Sequence, residues 1–366
     1  MKRKKIGIVT ISENVPNYGQ RLQCYMVQHL LNELGYDSEM IQDARWYANP
    51  VLFKTNWKDI AHCILRYHLI PERHGFRAVM YYWIKKHLHV SPLYVNSDED
   101  MLKLPRMYDG FVVGSDQVWN PYYTTRGLNS FTTLQFAPKE KRIAYAASIA
   151  SYSIPEERVD EFKTYLKDFG PITMREKSGA KIIKELTGRD VPVVIDPTLM
   201  WTGDSWAEKF MRKPNQENYM LLFLYGECTT EYNKKAKELA NDKGLDVLNI
   251  NKMPNVLDYS VESWFGFIKH SKYVLTNSFH CCVFSLLFHK NISVLRNPHV
   301  EKLMGSRIMD LFDLLGVEYT TEKFEQELIT TTHITEKQWK DIEGRLEEER
   351  KKAWNYLQTV FPPQKD

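Results

Sequence analysis

The stretch KYVLTNSFHCCVFSLL, residues 272–287, joins two apolar segments through a short polar turn. Residues 273–276 are β-prone and residues 279–288 are long enough for a buried helix, so the turn holds Asn277, Ser278 and His280. In a parallel α/β sheet such a turn lies at the carboxyl end of a strand, where free helix N–H groups favour an anion. A histidine there can bind an oxyanion or move a proton near neutral pH. Since a lone histidine is more often satisfied inside a core, the role of His280 depends on the rest of the chain.

Size and composition limit the classes of protein to which the chain can belong. The 366 residues are enough for two domains, and 43% hydrophobic with 26% charged residues is typical of a soluble globular protein. A net charge of +3 is too small to indicate a nucleic-acid partner. Residues 1–5 run into a predicted strand without the apolar region of a signal peptide, and no apolar run approaches the length of a membrane span. We expect a cytoplasmic protein, with peripheral contact at the inner face of the membrane as an open alternative.

The five cysteines form neither a disulfide framework nor a metal-ligand spacing, which suits a reducing compartment. No metal site is predicted. The adjacent pair Cys281 and Cys282 follows His280, so a nucleophilic thiolate must be considered. An apolar helix raises the pKa of a thiol, which argues against that role.

The chain opens with a strand, a loop and an amphipathic helix, followed by a second strand over residues 38–42. The loop brings Asn17, Tyr18 and Arg21 to the start of the helix, which is the expected ligand position in a doubly wound sheet. A GxGxxG fingerprint is absent, so a dinucleotide is not indicated. Residues 108–114 form a further buried strand, after which Asp116 faces the same crevice. Asp116 can accept a proton from a substrate hydroxyl, or it can simply cap its turn; the two interpretations are evenly balanced.

Three more strands are predicted in the first half, over residues 142–149, 172–174 and 191–196. The first ends near Ser148, and the second delivers Arg175. An arginine at that position can grip a carboxylate or phosphate with two parallel hydrogen bonds, or it can form a structural ion pair with a neighbouring glutamate. The alternation of strands and helices predicts a parallel α/β domain.

Residues 45–95 interrupt this alternation with an insertion rich in aromatic and basic residues. Two helices separated near Pro71 would each have an apolar and a basic face. Such faces can lie on an anionic membrane and bring the protein to a lipid-linked substrate. Solvated faces that cap the domain are the more common arrangement, and we favour them here.

The second half repeats the α/β pattern after a polar, irregular segment over residues 201–218. Strands are predicted over 219–225, 246–250, 273–276 and 292–295, and a long charged helix over 336–357 carries aromatic residues that suggest it packs back on the domains. We therefore predict an N-terminal α/β domain over 1–205, which contains the insertion and forms the acceptor side. A C-terminal α/β domain over 206–330 forms the donor side, and a C-terminal helix occupies 331–366. The two Rossmann-like domains would face each other across a cleft.

Six motifs in order resemble the polysaccharide pyruvyl transferase family over roughly residues 6–317. They are NYGQRLQ, GSDQVWN, TMREKSG, DPT, TNSFHCCVFSLLF and GSRI. The resemblance implies a glycosyltransferase-B-type fold and transfer of pyruvate from phosphoenolpyruvate to two hydroxyls of a sugar, which forms a cyclic ketal and releases phosphate. It implies no cofactor, since phosphoenolpyruvate is a co-substrate. The product would belong to a bacterial capsular or other surface polysaccharide, with a lipid-linked intermediate as one possible acceptor.

The resemblance also implies roles for individual residues. Arg175 and His280 match the family's donor-binding arginine and histidine, with general acid as a second role for His280. From its position in the crevice, we expect Asp116 to be the base or the group that orients the sugar hydroxyl. The remaining candidates are Ser278, Asn277 and Arg307 on the donor side, and Asn17, Tyr18, Arg21 and Ser148 on the acceptor side or in the cleft. Family members often have Asp and Gly where this chain has Asn277 and Cys281. The missing glycine puts the fine geometry of the turn in question.

Two other functions remain to be weighed. A glycosyltransferase with a nucleotide-sugar donor would need an acidic or backbone site for ribose and base in the second domain, and no clear candidate is visible. A non-catalytic carbohydrate-binding protein could keep the fold without the chemistry. Retention of Arg175 and His280 argues against that second alternative.

Overall fold

The computed structural model describes residues 2–11, 17–43, 57–66, 71–123, 128–225, 229–297 and 307–364. The start of the insertion, part of the first loop and the Gly-Ser of the GSRI motif lie outside the described residues.

The first sheet consists of six parallel strands in the order β3-β2-β1-β4-β5-β6. The chain starts at the centre and winds to both edges, so the order reverses between β1 and β4, where doubly wound sheets bind ligands. The strands are β1 (Lys5–Val9), β2 (Asp37–Asp43), β3 (Val90–Val95), β4 (Gly110–Val113), β5 (Arg142–Ala147) and β6 (Ile172–Met174).

The helices of this half include the two predicted on either side of residue 71. They are α1 (Tyr18–Glu33), α2 (Trp57–Leu65), α3 (Pro71–His87), α4 (Asp98–Met101), α5 (Leu104–Met107), α6 (Val159–Leu166), α7 (Lys177–Thr187) and α8 (Gly203–Phe210). Strand β3, at the end of the insertion, is not predicted by the sequence pattern. Pro92 interrupts its apolar run, and a proline is tolerated there because β3 is an edge strand.

The second sheet is mixed and has the order β11-β12-β10-β9-β7-β8. Strands β7 to β10 are parallel, whereas β12 runs antiparallel to both β10 and β11. The strands are β7 (Tyr219–Phe223), β8 (Asp246–Asn249), β9 (Tyr273–Thr276), β10 (Ile292–Arg296), β11 (Tyr319–Phe324) and β12 (Glu327–Thr332), and the helices are α9 (Thr230–Asn241), α10 (Val261–His270), α11 (Phe279–Leu287), α12 (Arg307–Leu315) and α13 (Glu336–Val360). The predicted fold of two Rossmann-like α/β domains is confirmed.

The stretch that opened the sequence analysis forms β9, a turn and α11, as predicted. All nine residues of α11 are buried, and the Ser278 hydroxyl caps the helix by accepting a hydrogen bond from the Cys281 main-chain N–H. A helix that is apolar on every side belongs in a protein interior. Its amino end therefore points at the carboxyl edge of the second sheet.

Two local predictions are wrong. Residues 191–196 form only an isolated bridge between Val193 and Met174, because Asp196 then caps a 3-10 helix, Pro197–Met200. The segment 201–218 is not irregular throughout, since it contains α8, capped by Thr202. The polar residues of α8 face outward, so composition alone does not reveal that the helix also has a buried face.

The long helix α13 packs back across both halves, as predicted. The guanidinium of Arg350 donates hydrogen bonds to the carbonyls of Leu199 (2.8 Å) and Trp201 (3.3 Å). Trp339, near the start of α13, stacks on His289 with ring centroids 4.9 Å apart. No helix in the described part of the chain combines the length and the apolar character needed to cross a membrane.

The division into 1–205, 206–330 and 331–366 stays a prediction. Its first boundary falls inside α8, between the two sheets, and its second falls inside β12. The two halves share one hydrophobic core cluster, in which Tyr18 of α1 stacks on Trp264 of α10 at 4.8 Å. The region between the two sheets is therefore packed interior and not open solvent.

Candidate functional site

Arg175 follows β6 at the carboxyl edge of the first sheet, and its side chain is 3% exposed. Its Nη1 donates a hydrogen bond to Asp196 Oδ2 (2.8 Å), its Nε lies 3.8 Å from Glu176 Oε2, and the guanidinium lies 4.6 Å from the ring centroid of Phe279. Burial opposes the charge, but the surrounding carboxylates, Asp196 foremost, outweigh it and raise the pKa of Arg175. Nε and Nη2 have no hydrogen-bond partner among the described residues, so this cation has donors to offer.

Asp196 lies between side chains of both domains, Arg175 of the first and His280 of the second. Its Oδ1 accepts hydrogen bonds from the main-chain N–H (2.9 Å) and the hydroxyl (2.6 Å) of Thr198. Its Oδ2 faces Arg175, the Ser115 hydroxyl (3.2 Å) and His280 Nε2, which at 3.6 Å is beyond hydrogen-bond length. Burial acts to raise the pKa of this carboxyl, but interactions with His280, Arg175 and Thr198 hold that pKa well below its usual range. Asp196 is therefore an anion at neutral pH.

His280 lies in the first turn of α11 and is pressed against the first domain. Its Nε2 is shielded from solvent and lacks a hydrogen-bond partner among the described residues. On its other side, a Cβ added to Gly19 of α1 would lie 1.9 Å from His280 Nδ1. Only a glycine allows α1 to approach the imidazole this closely, which explains the glycine of the NYGQRLQ motif.

For Gly19→Ala we expect a loss of about 1–3 kcal/mol in the free energy of unfolding, because the new methyl overlaps the imidazole. In a His280→Ala background the same change should cost much less, and a double-mutant cycle by denaturant unfolding measures the difference. Gly344→Ala is the matched control, since it adds a methyl to α13 with no atom within 4 Å and should stabilise slightly. An equal cost of Gly19→Ala with and without the imidazole would contradict this contact.

Asp116 follows β4 in a turn built on a glycine. Gly114 has a φ of 109°, and a Cβ there would lie 2.3 Å from the Tyr145 carbonyl oxygen. Asp116 itself has a φ of 73°, and its carboxylate accepts a hydrogen bond from the main-chain N–H of Gln117 (2.9 Å). Its charge is also close enough to Arg175 to help raise the pKa of that guanidinium. The carboxylate thus caps its own turn and lies near the cation cluster.

Asn17 and Arg21 lie at the start of α1. Asn17 is the N-cap residue, and its side chain accepts a hydrogen bond from the main-chain N–H of Gln20 (3.2 Å). Arg21 is fully buried and donates to Gln20 Oε1 (3.0 Å). Both of these hydrogen bonds stay within the start of the helix.

Tyr18 and Ser148 are both buried. The Tyr18 hydroxyl donates to the Tyr259 carbonyl (3.0 Å) of the second domain. The main-chain N–H of Ser148 donates to the Asp116 carbonyl (3.1 Å), so Ser148 supports the Asp116 turn. The structure places both residues in packed interior, and the Ser148 hydroxyl has no hydrogen-bond partner among the described residues.

On the donor side, both polar atoms of the Asn277 amide form hydrogen bonds with the main chain of Tyr225, just after β7. Oδ1 accepts from the main-chain N–H of Tyr225 (2.7 Å), and Nδ2 donates to the Tyr225 carbonyl (3.0 Å). Cys281 is fully buried, so its side chain enters the core, and burial raises the pKa of its thiol to about 12. That direction agrees with the argument against a thiolate nucleophile. Cys282 is buried as well, and its thiol pKa is also raised.

Arg307 begins α12 and reaches the same aromatic ring as Arg175. Its guanidinium lies 5.7 Å from the Phe279 ring centroid, and burial and the charge of Arg175 lower its pKa. Both arginines line a small cavity between the domains, together with Phe279. Asp196 also lines this cavity, whereas His280, whose Nε2 lies 3.6 Å from Asp196 Oδ2, does not. The structure thus brings together Arg175, His280 and Arg307 from the predicted set.

Asp310 lines the cavity and is not among the residues predicted from the sequence. Its Oδ2 is shielded from solvent and has no hydrogen-bond partner among the described residues. Burial and the carboxylates of Glu176 and Asp313 raise the pKa of Asp310 to about 6. The sequence indicates Asp310 only through its position three residues after Arg307 on an amphipathic helix, which puts both residues on one face.

Comparisons with known proteins add a family and a few distant structures. The family model described as polysaccharide pyruvyl transferase matches residues 17–298. A search of curated proteins finds no match. UDP-GlcNAc 2-epimerase from Methanocaldococcus jannaschii is 10% identical, with a TM-score of 0.44 over 79% of this chain and 82% of that chain. S. aureus MnaA is 12% identical with a TM-score of 0.44 over 79% and 78%, and T4 phage BGT is 11% identical with a TM-score of 0.36 over 98% and 99%. These distant likenesses carry no information on the activity of this chain.

Proposed function

Because this chain belongs to the polysaccharide pyruvyl transferase family, we propose that it moves pyruvate from phosphoenolpyruvate to two hydroxyls of one sugar. The product is a cyclic ketal, and phosphate is released. The family identifies a transferase of polysaccharide synthesis. The donor, the ketal, the capsular or other surface polysaccharide and the cytoplasmic location are parts of the proposal.

The observation that carries this proposal is the pair of arginines that share one phenylalanine ring. Arg175 comes from the first sheet and Arg307 from α12, and the two guanidinium groups lie 4.6 Å and 5.7 Å from the Phe279 centroid. Burial opposes both charges, and Arg175 also lowers the pKa of Arg307. A bound anion relieves this repulsion, and guanidinium groups match the geometry of carboxylates and phosphates. Phosphoenolpyruvate carries one of each.

The other predicted residues take roles around this donor. Nε2 of His280 has no hydrogen-bond partner among the described residues and is available to donate to the donor's phosphate. The carboxylate of Asp116 lies near Arg175 and can accept the proton of an attacking sugar hydroxyl. Cations that hold the donor also stabilise the charge that develops on the departing phosphate.

The acceptor side includes the helical insertion, for which we propose a peripheral contact with anionic lipid and hence with a lipid-linked acceptor. Ile64, Leu65 and Tyr82 expose 51%, 74% and 69% of their surface, and Lys85 and Lys86, which follow Tyr82 on α3, are exposed as well. Apolar and basic groups together favour such a surface. We expect the protein to sediment with vesicles of anionic lipid and not with neutral ones, and to lose this in Leu65→Ser/Lys85→Ser. Equal recovery with both kinds of vesicle would oppose the proposal.

The proposed activity is tested by incubating the protein with phosphoenolpyruvate and a panel of galactoside, glucoside and mannosaminyl acceptors. One acceptor should gain the mass of pyruvic acid less one water, with one phosphate released for each ketal. A nucleotide sugar consumed while every glycoside escapes pyruvylation would instead support a glycosyltransferase. Glycan binding without any turnover would support the non-catalytic alternative.

A further inference from the structure

One face of α12 forms a wall of the cavity that contains the two arginines. Arg307, Asp310, Leu311 and Leu314 all line it, and their spacing is that of a single helix face. Asp310 therefore lies between a cation one turn earlier and two leucines on the same face. Its Oδ2 is shielded from solvent and has no hydrogen-bond partner among the described residues.

We propose that Asp310 is the general acid that protonates the C3 methylene carbon of phosphoenolpyruvate, and that it takes up this proton when the donor binds. The proposal rests on the proposed function and names the proton donor of that same site.

The other acidic groups of the cavity are committed elsewhere. Asp196 is ion-paired with Arg175 and accepts two hydrogen bonds from Thr198. Glu176 Oε1 accepts main-chain hydrogen bonds from Ile149 (2.8 Å) and Ala150 (3.1 Å). Glu176 thus accepts two main-chain hydrogen bonds and also faces the Arg175 guanidinium.

His280 is not among the residues that line the cavity, and its Nε2 lies 3.6 Å from Oδ2 of Asp196, which does line it. It can approach the donor's phosphate or an acceptor from its own side. Two cavity-lining carboxylates have a shielded oxygen without a hydrogen-bond partner among the described residues, Asp310 Oδ2 and Glu176 Oε2. Glu176 Oε2 faces Arg175 Nε at 3.8 Å, which leaves Asp310 as the candidate acid. The leucines beside it exclude water from the carbon that receives the proton.

The electrostatic surroundings keep Asp310 ready to hold a proton. Burial is the largest of the effects that raise the pKa of Asp310. The carboxylates of Glu176 and Asp313 raise it further, whereas Lys177 lowers it. Arg175 and Arg307 also line the cavity and favour the carboxylate until the donor neutralises them. A donor that brings a phosphate and a carboxylate adds negative charge beside Asp310, which disfavours a second anion there. Binding should therefore be coupled to uptake of a proton.

The proposed step balances in atoms and charge. The proton leaves Asp310 Oδ2 for C3, the double-bond electron pair forms the new C–H bond, and C2 becomes electrophilic. The first sugar hydroxyl adds to C2, phosphate then departs with its bonding pair, and the second hydroxyl closes the ketal. The two hydroxyls lose two protons, of which one restores Asp310 and the other leaves with the phosphate.

Isothermal titration of the full chain with phosphoenolpyruvate, in buffers of different ionisation enthalpy, measures the proton uptake directly. At about pH 8 the donor's own phosphate is fully ionised, since its last pKa is near 6. Wild type should take up close to one proton per donor bound, and so should Asp313→Asn, a change at the exposed carboxylate one turn further along α12. Asp310→Asn should take up almost none and should bind the donor at least as tightly.

Turnover with an accepted glycoside gives the second readout. Asp310→Asn should lose about 100- to 10,000-fold in kcat, the range for a general acid, whereas Asp313→Asn should keep near wild-type kcat. Asp310→Glu should retain proton uptake and part of the turnover. Asp310→Asn should also melt at a higher temperature at pH 8, because the folded state disfavours the carboxylate above about pH 6.

The outcomes separate the two proposals. A wild-type chain that does not bind phosphoenolpyruvate overturns the proposed function itself. Donor binding with wild-type proton uptake and turnover in Asp310→Asn overturns only the role of Asp310. Loss of both in Asp310→Asn, with donor binding retained, supports both.

Discussion

Replacing His280 by glutamine is expected to lower kcat by about 100- to 10,000-fold and to leave the fold intact. The amide of glutamine can donate a hydrogen bond, but it cannot carry a proton between groups. His280 Nε2 has no hydrogen-bond partner among the described residues, so no described native bond of that atom is lost. Steady-state kinetics with varied phosphoenolpyruvate, together with thermal unfolding, measure both parts of this prediction.

The division between kcat and KM reports what His280 does. If the imidazole only holds the donor, KM for phosphoenolpyruvate rises while kcat changes little; if it moves a proton, kcat falls and its pH dependence changes. His289→Gln is the control, because His289 is half exposed, pairs with Glu343 and lies at the far end of α11. A His280→Gln enzyme with wild-type kcat and KM would show that this histidine is not part of the site.

Replacing Asp196 by asparagine is expected to lower the free energy of unfolding by about 3–5 kcal/mol at pH 7. The change removes the carboxylate that faces Arg175 and leaves that buried guanidinium with weaker compensation from Glu176 at 3.8 Å. Urea unfolding of both proteins gives the difference. Asp190→Asn is the control, since its pair with Lys184 is exposed and should contribute no measurable stability.

The pH dependence of this loss has a definite sign. The folded-state pKa of Asp196 is lowered from its ordinary value of 3.8, so its stabilisation is present above that value and disappears as the pH falls through the folded pKa. The gap between wild type and Asp196→Asn should therefore narrow in acid. A gap of the same size at pH 7 and well below pH 4 would show that the carboxylate's charge is not the stabilising feature.

Most of the fold follows from the periodicity of the sequence. Residues 273–276 are predicted with the bounds that the structure gives to β9, because this apolar run ends at polar residues on both sides. The hairpin of β11 and β12 is missed since β11 is exposed and charged, and only its pairing with β12 makes it a strand. Its structure depends on tertiary context, which a local pattern does not contain.

The candidate site was predictable where the chemistry lies in a motif. Arg175, His280 and Arg307 belong to motifs whose residue types suit an anion, and the fold brings them together. Asp196 could be noted only as the end of a predicted strand, because its contacts with Arg175 and His280 join distant parts of the chain.

Two further features need the relative positions of whole elements. Gly19 has a role only because α1 meets α11, and Asp310 only because α12 turns that face toward the cavity. Spacing along α12 places Asp310 with Arg307, but it does not say what that face meets. Neither contact can be derived from local sequence.

The central claim is that arginines from both domains hold phosphoenolpyruvate over the Phe279 ring. Equilibrium binding of phosphoenolpyruvate to the wild-type chain and to Arg307→Gln tests it most directly, because no acceptor is needed. We expect one donor per wild-type chain and about 10- to 100-fold weaker binding by Arg307→Gln, the effect of removing one charged hydrogen-bonding partner. Failure of the wild-type chain to bind phosphoenolpyruvate, or equal affinity in the two proteins, would contradict the claim.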